Sequence, residues 1–239
     1  MSETIGFIKD RAVKTISAAK QLANQWTWPE LTPDQMQAAL WAITGNSSVT
    51  PPIIGQEEIT SAAKRRRDAA YGRWETQLGE LHRRTVQAVG MIKNKLRNDP
   101  ALLAVVSGLS ASSNSHKETL DEALALESAW TNLLPAWSPT TTNTLAAFRV
   151  LRKQCAEDLQ SAFSDAHTEW RSEVTTLNAM ADALEQSDEA WYADATRVFA
   201  VGTPEGDMIR STVPTTYSPS TTTPAPAPTP TPATASKTP

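Results

Sequence analysis

Few side chains in this sequence carry reactive chemistry, and their spacing decides what they can do. The chain has three histidines, His82, His116 and His167, and one cysteine, Cys155. A metal centre needs several such ligands brought together at short helical or loop spacing. No histidine stands at such a distance from another histidine, from Cys155 or within a Glu-x-x-His pair. The expectation is therefore no metal ligand. Cys155 falls on an apolar stripe, where a thiol packs as a small inert hydrophobe. There is no Walker motif and no Gly-x-Gly-x-x-Gly. Gly202 and Gly206 flank Thr203-Pro204-Glu205, which reads as a turn leading into a helix cap rather than a phosphate cradle. No cofactor, no catalytic set and no enzymatic activity is expected.

Two other groups of residues have the chemistry of contact surfaces. Lys64-Arg65-Arg66-Arg67 is the one dense basic run. On a helix four consecutive residues point to all sides, so the run does not form a single phosphate-binding stripe. A solvated or helix-pairing role is expected. The alternative is a nucleic-acid face formed with Lys93, Lys95 and Arg97. The overall charge of −4 speaks against that alternative, because binding to nucleic acid needs a large positive field. The second group lies in residues 189–217, where Trp191, Tyr192, Phe199, Ile209 and Tyr217 surround the Thr203–Asp207 turn. This segment folds back on the rest of the protein or presents a docking surface. Trp191, Tyr192 and Tyr217 join the basic run as candidate interaction residues.

The elements that position these residues follow from apolar periodicity. Ile5, Ile8, Val13, Ile16, Ala19 and Leu22 repeat at helical spacing. Thr32, Pro33 and Gln35 form a capping box for a second helix, with Leu31 and Met36 placed as its staple. Residues 1–45 thus read as a helix pair and 46–56 as a loop. A helix of about 57–97 carries the stripe Ile59, Ala63, Ala70, Trp74, Leu78, Leu81, Val89, Ile92, Leu96. Gly72 and Gly79 on it suggest close approach of a neighbour, or simply a kink. Ser115 with Glu118 caps a shorter helix. A second long helix, about 141–185, carries Leu145, Phe148, Leu151, Cys155, Leu159, Ala162, Ala166, Trp170, Val174, Leu177, Ala181 and Leu184. Its mean step is close to 3.5 residues, as in helices that pair along a seam. Ser187 and Asp188 are expected to restart or cap a further helix.

Charge supports pairing of the two long helices. From Glu57 to Leu96 there are nine Lys or Arg and five Asp or Glu, a net of +4; from Thr141 to Ala195 there are four basic and ten acidic residues, a net of −6. The expected fold class is an all-α, elongated antiparallel bundle in which a coiled-coil-like pair of long helices is flanked by shorter helices. Residues 57–211 would form that bundle. In residues 212–239, eighteen of twenty-eight are Thr or Pro, so a disordered tether is expected there. No apolar run approaches eighteen residues, and the N-terminus lacks a signal-peptide pattern. With a single cysteine, cytoplasmic residence is the expectation. The function that fits is a non-enzymatic scaffold or protein-interaction protein. A protein partner is expected, and a homo-oligomer is compatible. Nucleic-acid association is the alternative. A helical enzyme without a recognisable motif is the third reading.

Overall fold

Backbone chemistry punctuates the chain where its residues dictate. The computed structural model describes residues 3–112 and 115–213. The expected tail, and Tyr217 with it, lies outside them, apart from Thr212 and Val213. Among the described residues the regular structure is α-helical, and the one extended contact is an isolated bridge between Asn46 and Ile53. The order is α1 (Glu3–Leu22), α2 (Pro33–Thr44), α3 (Gln56–Lys95), α4 (Pro100–Ser107), α5 (His116–Leu133), α6 (Leu145–Lys153), a π-helical turn (Gln154–Leu159), α7 (Gln160–Val198) and α8 (Pro204–Ser211). Side-chain oxygens that meet orphan amides start most of them: Thr32, Asp99, Ser115, Thr144 and Thr203 are all N-caps accepting from a backbone N–H. Each such cap is worth roughly 1 kcal/mol. The Gly45–Gly55 loop closes so tightly that a Cβ on Gly55 would lie 2.2 Å from the Gly45 nitrogen.

α3 and the run α6–π–α7 lie antiparallel. Gln56 and Thr60 bond to Glu173, Arg66 to Glu169, Trp74 to Cys155 and Arg84 to Thr142. Numbers rise on one helix as they fall on the other. The seam differs from the hydrophobic reading at two places. On α3 it passes through Thr60 rather than Ile59, which is 37% exposed. On the opposite helix it passes through Phe163, which stacks on Trp74 at 5.6 Å, while Ala162 is exposed. From Leu151 the inward positions are Cys155, Leu159 and Phe163, three steps of four residues. An ordinary α-helix of 3.6 residues per turn drifts out of phase over such a run. The π-helical turn, with its wider ring, holds these residues on the inner side. Gly72 and Gly79 face open space: a Cβ added at either would meet nothing within 4 Å, so neither admits a close neighbour.

Apolar burial concentrates at the two ends of this helix pair. At one end α1, α2, α8 and the C-terminal part of α7 share a cluster built on Ile8, Ala12, Ile16, Leu22, Met36, Ile43, Leu184, Trp191 and Ile209. At the other, the second half of α3 meets α4, α5 and α6 around Leu81, Ile92, Val106, Leu126, Trp130 and Phe148. Burying one such large side chain contributes roughly 1.5–3 kcal/mol. The helix does not restart at Ser187-Asp188: α7 continues to Val198 and Asp188 lies fully buried on its inner face. Thr212, placed in the tail by composition, is also buried, at 2%.

Candidate docking surface on the waist between the two cores

Between the two clusters the helix pair is left without a third layer. None of residues 156–176 is buried, and on α3 the only buried positions between Gln56 and Trp74 are Ala63 and Ala70. Past the Trp74–Phe163 stack, which with Tyr71 borders the second cluster, the seam is built from small and polar residues, with the His167 and Trp170 rings along one flank. Gln56 Nε2 donates to Glu173 Oε2 at 2.6 Å, and the Thr60 hydroxyl donates to the Glu173 carbonyl at 3.3 Å. Such bonds set register and direction more than stability.

Along one flank the rings form a continuous row. His116, at the start of α5, packs on Trp74 at 4.9 Å. Trp74 stacks on Phe163, Phe163 meets His167 at 5.8 Å, and His167 meets Trp170 at 5.7 Å. Tyr71 packs on Phe163 at 5.3 Å. The guanidinium of Arg67 lies 4.1 Å from the Trp170 ring centroid, a cation–π arrangement. Apart from Trp74, the rings of this row are half-buried. The Nδ1 atom of His167 is buried without a hydrogen-bond partner among the described residues. Beyond Trp170 the row opens into a groove of about 370 Å³, with Ile5, Trp170, Val174 and Leu177 as its apolar lining and Thr60, Ser61, Lys64 and Asn178 at its polar edge.

The basic run is largely engaged within the protein. Lys64 pairs with Asp68 at 3.0 Å, Arg67 Nε donates to the same carboxylate at 2.9 Å, and Arg66 grips Glu169 at 2.6 Å. Arg67 and Lys64 together hold the exposed Asp68 carboxyl below the usual carboxylate range, Arg67 most strongly. Arg65 points into solvent. Of the alternative basic face, Lys93 spends its ammonium on the carbonyls of Ser107 and Leu109, tying the end of α4 to α3, while Lys95 and Arg97 are exposed. The four residues of the run thus fan out around α3, as the helical argument requires.

Trp191 is not offered to a partner. It is 1% exposed and lies against Trp26 at 6.3 Å inside the first cluster, with Tyr192 half-buried beside it. The segment around it folds back, and Ile209 of α8 is fully buried against it. The ring contacts that apolar periodicity passes over are those of Phe163 with His167 and Tyr71. Their signal was available in the three consecutive four-residue steps that end at Phe163.

Chemistry of other kinds finds little to work with. Among the described residues no three His, Cys, Asp or Glu side chains converge as a metal site. Cys155 is fully buried, and loss of water pushes its thiol up to about 11. Two Arg–Glu clusters are structural: Glu127 with Arg149 and Arg152 ties α5 to α6, and Glu80 with Arg83 and Arg84 lies along α3. No described helix is long and apolar enough to cross a membrane.

Comparison with known proteins leaves this arrangement to speak for itself: no protein family matches the chain, nor does any curated protein or solved structure.

Proposed function

We propose that this chain is a non-enzymatic interaction protein whose working surface is the waist of the α3–α7 pair. The observation that carries the reading is the uncovered stretch itself. Over residues 156–176 a long helix keeps no buried side chain, yet its flank carries a contiguous row of half-buried rings. Apolar rings held in a shallow, rigid row are typical anchors of protein interfaces. The two end clusters supply stability, so the waist is free to be selected for contact rather than for burial. The ion pairs of the basic run support this reading over nucleic-acid binding, because they tie Lys64, Arg66 and Arg67 to Asp68 and Glu169 within the protein rather than leaving one free basic stripe.

The test compares two affinity-tagged proteins, the parent and a variant with Trp170→Ser and Val174→Ser. Both should show the same helicity. A partner set that co-purifies with the parent and is lost from the variant is the expected result. Retention of the whole set by the variant refutes the waist as the working surface.

A further inference from the structure

The shape and charge of the waist define what lies on it. We propose that its occupant is a single amphipathic helix with acidic flanks, lying along the ring row as a third helix of a three-helix layer. This rests on the proposed docking reading and adds the class of partner.

Three observations select a lone helix. The recess is bounded at one end by Ile5 of α1, which lines the groove, and at the other by His116 of α5, which packs on Trp74. From Val174 back to Phe163 the row spans eleven residues, roughly 16 Å of helix axis. That length suits about three turns of a partner with anchors at i, i+4, i+7 and i+11. The groove beyond Trp170 gives room for a large apolar side chain at one end of that row.

Charge selects the flanks. Lys64 stands on the groove rim, and Arg67 covers Trp170. Arg171 is exposed and sits seven residues before Asn178, so it shares the rim position that Asn178 occupies. On the same side stand Asp68, already shared by Lys64 and Arg67, Glu57, which Lys9 holds at 2.7 Å, and, at the far end of the row beside His116, Glu75. The positive excess therefore lies at the Trp170 end of the row, where Lys64, Arg67 and Arg171 face Asp68 and the Lys9–Glu57 pair. A helix bearing Asp or Glu beside its anchors gains attraction there, and a basic one meets repulsion.

Two labelled peptides of eighteen residues test this on the full chain. Both carry Leu and Trp at i, i+4, i+7 and i+11; one has Glu and the other Lys at every flanking position. Fluorescence anisotropy should show the Glu peptide binding at least tenfold more tightly, with the advantage shrinking as salt rises. Trp170→Ala should weaken it tenfold or more. The exposed pair Lys64→Glu with Arg171→Glu, which leaves the core untouched, should reverse the preference. If the Lys peptide binds equally well and is lost with Trp170→Ala, the acidic class is wrong while the waist stands as a docking surface. If neither peptide's binding depends on Trp170, both readings fall. Sedimentation that shows a dimer abolished by Trp170→Ala assigns the surface to a second copy and overturns the proposal.

Discussion

The indole N–H of Trp74 donates a 3.0 Å hydrogen bond to the backbone carbonyl of Cys155, inside the π-helical turn. A buried indole needs an acceptor, and here the irregular turn of the opposite helix provides it. Two consequences can be measured. Trp74→Phe removes the donor and leaves a buried carbonyl short of a partner, at a cost of about 1–3 kcal/mol in chemical denaturation. Deleting exposed Glu157 shortens Leu151–Phe163 by one residue and lets the helix run as regular α through this region with the seam still in phase. That deletion should leave the melting temperature within a few degrees of the parent. Deleting Thr175 instead turns everything after it by roughly 100° and carries Leu177, Leu184 and Trp191 off the core; this variant should not fold cooperatively. Equal damage from the two deletions would contradict the phase-keeping role of the π turn.

Trp170 and Trp191 lie on the same helix and should respond differently to truncation. Trp191 is 1% exposed in a filled cluster, so Trp191→Ala should cost about 3–5 kcal/mol. Trp170 is half-buried, with the Arg67 guanidinium over its ring and His167 beside it. Trp170→Ala should cost only about 1–2 kcal/mol, the share of the ring that water does not reach plus a cation–π contact. Urea denaturation of the two variants checks the order, and a Trp170 loss as large as that of Trp191 would mean the ring row is core.

Helix identity, caps and the pairing of the long helices were legible because each has a local signature. The Thr32 capping box, the Ser115 cap and opposite net charges all act over a few residues or over whole elements. Seam membership was less legible where polarity and burial part company. Thr60 and Arg67 occupy inward positions that an apolar criterion passes over, and Ile59 attracts that criterion although it faces water. Phase was lost at the π turn, since a strict three-four alternation selects Ala162 where the widened turn delivers Phe163. Asp188 has the chemistry of a helix cap, because carboxylates favour such positions; α1 instead covers it, and only tertiary contact reveals that. The waist was not legible, because an uncovered stretch is a property of where other helices end.

Asp188 should make stability depend on pH. It is fully buried, and neither carboxyl oxygen has a hydrogen-bond partner among the described residues. Burial raises its pKa from 3.8 to about 7, opposed by Arg11 of α1 and assisted by Glu185. Arg11 also lies 3.6 Å from Glu189, and the Thr15 hydroxyl is buried nearby on the same helix without a partner. The folded acid holds its proton up to about pH 7, whereas the unfolded one releases it near 3.8. The native state thus binds more protons within that window, and stability falls as pH rises through it. A shift of this size corresponds to roughly 4 kcal/mol at most. Asp188→Asn should be about 2–4 kcal/mol more stable than the parent at about pH 8.5 and equal to it near pH 3.5. The difference between the two denaturation curves isolates this group from the other carboxylates. An Asp188→Asn variant that is less stable on the alkaline side would show that the charged acid is held by Arg11 instead.

The antiparallel register of the waist makes the most direct prediction. Thr60 bonds to the carbonyl of Glu173, so the two side chains stand on facing turns of α3 and α7. Cysteines at these positions should be joined within one chain by a short bismaleimide. The background should be Cys155→Ala, because the native thiol is fully buried and alanine adds no unpaired hydroxyl to that site. Thr60→Cys combined with Leu151→Cys serves as the control. Leu151 lies beyond the π turn in the other cluster, and this pair should stay unlinked. Neither a parallel arrangement nor a shifted one gives the same outcome: reversing α7 brings Thr60 toward the Leu151 end, and a slip of one heptad moves Glu173 about 10 Å along the axis. Mass spectrometry after proteolysis identifies which residues are joined and whether the link is within a chain. A link between chains at Thr60 and Glu173, with none inside a chain, would mean that the seam is completed by a second copy rather than by the protein's own return helix.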